Sequence, residues 1–295
     1  MIVTLAAIWG ASYLFIKVGI RDFAPTVFVS ARMLIAGLLL VGFLMIKDGA
    51  GAAVQEVRGA WRDGVVMGTI NGVIPFGLIT WGEKHIDSGV AAIANASVPI
   101  FVALVAIKVN PSERASGLKL GGILLGLVGV GILAGVHPSG GGWAVVGTLA
   151  VVVASFSYAC GGLYGQRALR NVSGPVFAAA SMLYGGLILL PFALFQLPGH
   201  MPGLKPVLSL LGIAVLGTAA AQLLLFRVLR MYGAARLSLV TYLIPAFALV
   251  YGSLILDEPL RPTMLIGLAL ILGGVALGSG VWRPARRRVA AESSA

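Results

Sequence analysis

The chain has 295 residues, 59% of them hydrophobic and 11% charged, with a mean hydropathy of +1.00 and a formal net charge of +11. Soluble domains carry about a quarter charged residues, so too little polar surface is present to coat a soluble globule, and a polytopic membrane protein is expected. The basic excess sits in short loops and in the tail Arg283, Arg286, Arg287 and Arg288, with no aromatic-basic groove pattern; this excludes nucleic acid as a partner and points to topology and anionic lipid.

A membrane-crossing helix needs about 20 residues. Apolar runs bounded by charge or turn residues predict ten spans, at 2–20, 24–46, 64–83, 89–108, 118–136, 143–165, 174–196, 207–229, 236–256 and 262–282. The first run lacks the positive leader of a cleaved signal peptide and keeps Trp9, Ser12, Tyr13 and Lys17, so it reads as a retained span. Connections are short and marked by Gly49-Ala50-Gly51, Pro111, Pro138 to Gly142, Gly174-Pro175, Pro198-Gly199 and Pro259. The lone cysteine, Cys160, excludes an intrachain disulfide and a cysteine-based metal cluster, and no metal or cofactor is expected.

The pattern occurs twice. A shift of about 145 residues brings Ser12-Tyr13 onto Ser157-Tyr158, Glu113 onto Glu258, Gly122 onto Gly267 and Gly129 onto Gly274. Val98-Pro99-Ile100-Phe101 has its counterpart in Ile244-Pro245-Ala246-Phe247, each at the end of a small-residue apolar helix. Five spans per copy force the copies into opposite orientations, the inverted-repeat design of secondary transporters. The expected fold is all-α, with ten transmembrane helices in two inverted repeats, residues 1–137 and 138–282, followed by a basic tail, 283–295. Loops on the side of the termini hold fifteen Lys and Arg, those on the other side four, and Lys17 and Arg32 lie within spans. The positive-inside rule therefore predicts cytoplasmic termini.

Glycines at small-xxx-small spacing (68/72, 122/126, 131/135, 161/165, 274/278) predict close helix packing. No glycine run is followed by Lys-Ser/Thr, so a phosphate loop is absent. Pro75, Pro99 and Pro245 interrupt spans and are expected to kink or gate them. The acidic residues fall in loops, at span ends or in the tail, with Glu83 nearest to an exception, which leaves no deep proton carrier. Lys17 is expected to snorkel outward, and Arg32 to reach the interface or find carbonyl partners; functionally, either is a candidate for holding a substrate carboxylate or phosphate.

Polar and aromatic side chains at mid-span depth cluster in spans one, three, four and their mates six, eight and nine. The candidate substrate-binding set is Trp9, Tyr13, Asn71, Leu78, Asn95, Ser97, Ser157, Tyr158, Gln222 and Tyr242, with Ser155 and Thr241 close by. Asn71, Leu78 and His85 recur at seven-residue spacing on one helical face beside Pro75. Buried amides in lipid need a neighbouring helix or a watered cavity, and their restriction to these spans favours a cavity.

Ile8-Trp9-Gly10-Ala11-Ser12, the two proline helices, the acidic turns Pro111-Ser112-Glu113-Arg114 and Asp257-Glu258-Pro259, and the Gly/Leu-rich last spans (121–135, 267–280) together resemble the EamA-type transporters of the drug/metabolite transporter superfamily. The resemblance covers essentially the whole chain. It implies ten helices around a central cavity lined by spans one, three, four, six, eight and nine, and a substrate drawn from amino acids, drugs, nucleobases or other metabolites. Within the family the chain looks most like the YddG-type exporters of aromatic and neutral amino acids, with Trp9 at a cavity-tryptophan position. Val98 and Ser157 stand where further cavity tryptophans would align, which implies a broader range of neutral and hydrophobic amino acids.

The expected function is export of such amino acids across a bacterial-type inner membrane by alternating access. The partners are small-molecule substrate and membrane lipid, and a monomer is compatible with the sequence. Rival readings are export of other metabolites or drugs, a phosphorylated-sugar carrier, which should show two or more cations at depth, and a membrane enzyme or scaffold. An enzyme should show clustered nucleophile or acid-base groups, and none appears.

Overall fold

Pro75 cannot donate a backbone N–H, and its ring crowds the carbonyl of Asn71 four residues earlier. In the computed structural model the third span answers this by widening: α4 (Trp61–Gly68) passes into a π-turn over Thr69–Val73 before α5 (Ile74–Gly82) resumes. The structure describes residues 1–109, 118–135, 141–237 and 239–278. The expectations for Pro111 to Arg114, for Pro138 to Gly140 and for the basic tail concern residues outside these.

The other elements follow in chain order. They are α1 (Ile2–Gly19), α2 (Pro25–Asp48), α3 (Ala50–Gly59), the span just described, α6 (Ser88–Asn95), α7 (Val98–Val109) and α8 (Leu118–Gly135). The second half holds α9 (Gly141–Ala168), α10 (Gly174–Leu194), α11 (Leu204–Ala214), a second π-turn (Val215–Ala220), α12 (Ala221–Leu237), α13 (Leu239–Ile255) and α14 (Pro262–Gly278). Among the described residues, seven segments are long and apolar enough to cross a membrane, and three shorter apolar helices accompany them. Large apolar side chains such as Leu38, Phe192 and Leu254 stand exposed around the bundle, where lipid would cover them. The described fold is thus all-α and membrane-spanning.

Several elements differ from expectation. Residues read as loop form α3, whose Ala53 and Val57, one turn apart, are buried while Glu56 and Arg58 are exposed. The eighth span is longer than expected and ends at Gly233, whose φ of 75° no longer continues a right-handed helix. Most telling is the pair of prolines. Pro99 stands second in a new helix, α7, after a break at Ala96-Ser97, whereas Pro245 lies inside α13. Two residues before Pro99, the Ser97 hydroxyl donates to the Ala94 carbonyl at 2.7 Å, and Ile100 N–H returns to Ser97 O at 2.9 Å. The corresponding residue before Pro245 is Leu243, which has no hydroxyl to compete with the backbone.

Glycine sets how closely the helices approach. A methyl on Gly274 would meet Gly122 O and Gly126 N at 2.5 and 2.6 Å, so α8 and α14, the last spans of the two repeats, touch backbone to backbone. The same holds between Gly68 and Gly185, and between Gly82 and Gly147. Gly131 has open space where its side chain would be.

Candidate functional site

Three elements from both repeats meet at mid-depth. Tyr13 on α1 is buried, and Asn95 at the end of α6 donates from Nδ2 to its hydroxyl at 2.9 Å. The single hydroxyl proton of Ser155 on α9 has two acceptors in reach, Asn95 Oδ1 at 3.1 Å and the Val151 carbonyl of its own helix at 3.0 Å. Asn95 reaches this position because α6 stops there: the break before Pro99 exposes the last turn instead of burying it in a continuous helix. Tyr158, one turn beyond Ser155 on α9, sets its ring edge-on to Phe76 of α5 with centroids 6.4 Å apart. Tyr13 and Tyr158 are electrostatic neighbours across this space.

A second layer lies at the first π-turn. Ser157 on α9 donates to the Ile70 carbonyl, one of those in the widened turn. The Asn71 side chain lies against Gly161, where an added methyl would sit 2.7 Å from Asn71 Oδ1. Thus α9 presents Ser155, Ser157, Tyr158 and Gly161 to α5, α6 and the π-turn. Leu78 is half-buried against the main apolar cluster, and His85 stacks on Trp143 of α9 at 5.3 Å. The Asn71, Leu78, His85 stripe therefore packs along α9.

Other expected residues fall elsewhere. Trp9, one turn below Tyr13, is half-buried in a separate cluster with Leu5, Ala6, Ala221 and Val240. Ser97 is buried and committed to its own backbone, as described above. Gln222 is half-buried on α12 and makes no hydrogen bond among the described residues. Tyr242 packs half-buried against the main cluster from α13. Pro75 and Pro245 are buried, and Pro99 is half-buried.

The two intramembrane cations are held differently. Lys17 reaches to the end of span three, where its ammonium donates to the carbonyls of Glu83 and Ile86, both at 2.7 Å, tying α1 to the end of α5. Arg32 finds neither the interface nor a carbonyl. Its Nε donates to Thr218 Oγ1 in the second π-turn at 2.8 Å, and its guanidinium lies 3.8 Å over the centre of the Phe76 ring. Thr218 in turn donates to Ile213 O, five residues back, at 2.8 Å, which matches the wider π-turn. Glu83 is fully buried, with neither carboxylate oxygen hydrogen-bonded among the described residues and with Lys17, Glu258 and Arg32 as charged neighbours. Phe76 and Thr218 are the residues at this site that sequence reading missed, while Arg32 was a candidate whose partners were not foreseen. The one available signal was Arg32's depth in the second span, since an unpaired cation there is costly without a purpose.

On the face opposite the N-terminus the repeats are joined. The Glu258 carboxylate, just after α13, accepts from Ser88 N–H at 2.9 Å, from Ser88 Oγ at 2.7 Å and from Gly89 N–H at 3.3 Å, capping α6. Asp257 adopts φ 57° to turn the chain back, and Gly252 leaves room for the carboxylate. Asp22 accepts from Gly203 N–H at 2.6 Å on the same face. Toward the N-terminal face a cavity of about 390 Å³ opens beside α7 and α9, lined by Val105, Cys160, Tyr164, Arg167 and Arg170 among others. Tyr164 there donates to Asp63 of α4 at 2.6 Å. No group of three or more potential metal ligands occurs among the described residues.

Two inverted bundles meeting at polar mid-membrane groups define a membrane transporter fold. Comparison with known proteins agrees. The model of the EamA-like transporter family matches residues 1–135 and again 145–280. The chain therefore belongs to that family, in the drug/metabolite transporter superfamily, and is a multi-pass membrane transporter. It is 26% identical to the uncharacterized transporter YoaV of Bacillus subtilis over 98% of both chains. It is 27% identical to the uncharacterized inner membrane transporter YedA of Escherichia coli over 92% of this chain and 87% of that one. The crystal structure of a further protein superposes with a TM-score of 0.65 at 19% identity, over 95% of this chain and 96% of that one, a likeness of fold alone.

Proposed function

We propose that the protein exports neutral, hydrophobic and aromatic amino acids, or small amphipathic molecules like them, across a bacterial-type inner membrane with both termini in the cytoplasm. The observation that carries this reading is the Tyr13–Asn95–Ser155 hydrogen-bonded chain facing Tyr158 and Phe76. It offers amide and hydroxyl groups for a polar head beside aromatic rings for an apolar side chain, the mixture that small-molecule sites use. It draws on both repeats, so rocking one against the other would open it to alternate sides. The capped face at Glu258 and Ser88 and the cavity near Arg167 and Arg170 fit a state closed on the outer side. The phosphorylated-sugar alternative is weakened by Lys17, whose amine is already bound to two carbonyls.

The test is flux of labelled phenylalanine, methionine, leucine and threonine in proteoliposomes of the purified chain, with and without a pH gradient. Saturable flux of at least one of these is expected. Absence of flux for all four sinks the amino-acid assignment.

A further inference from the structure

Arg32 is 5% exposed and lies well inside the second span. A guanidinium has five N–H donors in a planar fork. Here Nε alone is hydrogen-bonded among the described residues, to Thr218, while one face of the plane rests on Phe76. The terminal nitrogens have no acceptor there, yet they are not among the sealed orphan atoms of the buried interior, which belong to Thr26, Thr80 and Glu83. They therefore keep a remnant of accessible surface. Tyr13, Tyr158 and Glu83 are the groups within electrostatic reach of this cation. No ion pair joins it to Glu83 among the described residues.

A structural arginine in a membrane interior should have its donors consumed, because unpaired charge in a low-dielectric setting is costly. This one is braced from two sides, and its terminal nitrogens, the paired donors that fit a carboxylate, have no acceptor among the described residues. The bracing comes from both repeats: Phe76 follows the first π-turn and Thr218 lies in the second. The other intramembrane cation, Lys17, spends its amine on backbone carbonyls, so a single open positive group remains at depth among the described residues. One such group suits a monocarboxylate better than a phosphate ester.

We infer that Arg32 is the anchor for the substrate's carboxylate, with its terminal nitrogens forming the paired hydrogen bonds. This rests on the proposed function for its location and deepens it by naming the residue that reads the substrate's carboxylate. Tyr13, Asn95 and Tyr158 then face the remainder of the molecule.

The test compares carboxylates with their amides on the full-length protein, by ligand-induced shift of the unfolding temperature and by competition for flux. Phenylalanine and 3-phenylpropionate are expected to bind about ten- to hundredfold more tightly than phenylalaninamide, the value of a charge-assisted pair. Arg32→Gln is expected to erase that preference, and Arg32→Lys to keep part of it. Should Arg32→Gln fail to fold, Arg32→Lys, which keeps the charge but not the paired donors, is read instead, and an undiminished preference there overturns the assignment. Equal affinity for acid and amide, or a preference that survives in Arg32→Gln, overturns the assignment. If no phenyl compound binds, benzoate and benzamide, then succinate and succinamide, are compared in the same way. A carboxylate preference there keeps the anion site and removes the aromatic amino acids as substrates, while no preference in any pair overturns the Arg32 anchor itself.

Discussion

Pro99 opens a new helix, whereas Pro245, its counterpart in the other repeat, is carried inside one. The difference comes from the residue two positions earlier, Ser97 against Leu243: one side chain satisfies a carbonyl and lets the helix stop, the other packs. The break in span four frees Asn95 to hold Tyr13 and Ser155. The continuous ninth span instead ends at the turn that delivers Glu258 to the start of span four. The two copies have thus divided their labour: one supplies polar contacts at mid-depth, the other fastens the opposite face. A shared motif in inverted repeats predicts a shared position, but the local chemistry decides what happens there.

The largest effect should come from unfastening that contact. Glu258→Ala removes an acceptor used by three donors and is expected to destabilise by about 2 kcal/mol, with Glu258→Gln recovering part of it. The measurement is the unfolding temperature in detergent; an unchanged value would mean that the two spans do not depend on each other at this face. Next, Asn95→Ala should cost about 1–2 kcal/mol and most of the transport, because it leaves the buried Tyr13 hydroxyl without its donor. A double-mutant cycle with Tyr13→Phe should give a coupling of about 1 kcal/mol; additive effects would break the proposed link between spans one and four. The smallest effects belong to the prolines. Pro245→Ala restores a backbone donor within an existing helix and should change stability by less than about 1 kcal/mol. Pro99→Ala should also be mild while Ser97 still holds the break, but Ser97→Ala combined with Pro99→Ala should let span four run through and remove flux. If the double change transports normally, the break is not what positions Asn95.

The ten spans and the doubled pattern were legible because both are properties of hydropathy and spacing, and the lipid-facing surface enforces them. Asn95, Tyr13 and Tyr158 were legible as polar or aromatic residues at mid-depth. What was not legible depends on rotation about a helix axis. Trp9 and Tyr13 stand one turn apart on the same span, yet Trp9 packs into a separate cluster while Tyr13 joins the hydrogen-bonded chain. Gln222 lies just beyond the second π-turn, and an extra residue there re-aims everything after it. Arg32 was legible as a candidate carboxylate holder, but its partners were not, since a hydroxyl and a ring come from residues 186 and 44 positions away. The helix α3 was missed because its apolar face is only two residues wide, Ala53 and Val57.

The two π-turns fall at equivalent places in the two repeats, Thr69–Val73 in span three and Val215–Ala220 in span eight. Each holds one residue more than an α-helix of the same rise needs. Passing that surplus along by a single position exchanges one backbone hydrogen bond for its neighbour and swivels the stretch it crosses by about 100°. Spans three and eight therefore contain a swivel that needs no gap in the helix and no exposed backbone. Because Ser157 holds the first turn by the Ile70 carbonyl and Arg32 holds the second by Thr218, whatever loosens either grip also frees a swivel.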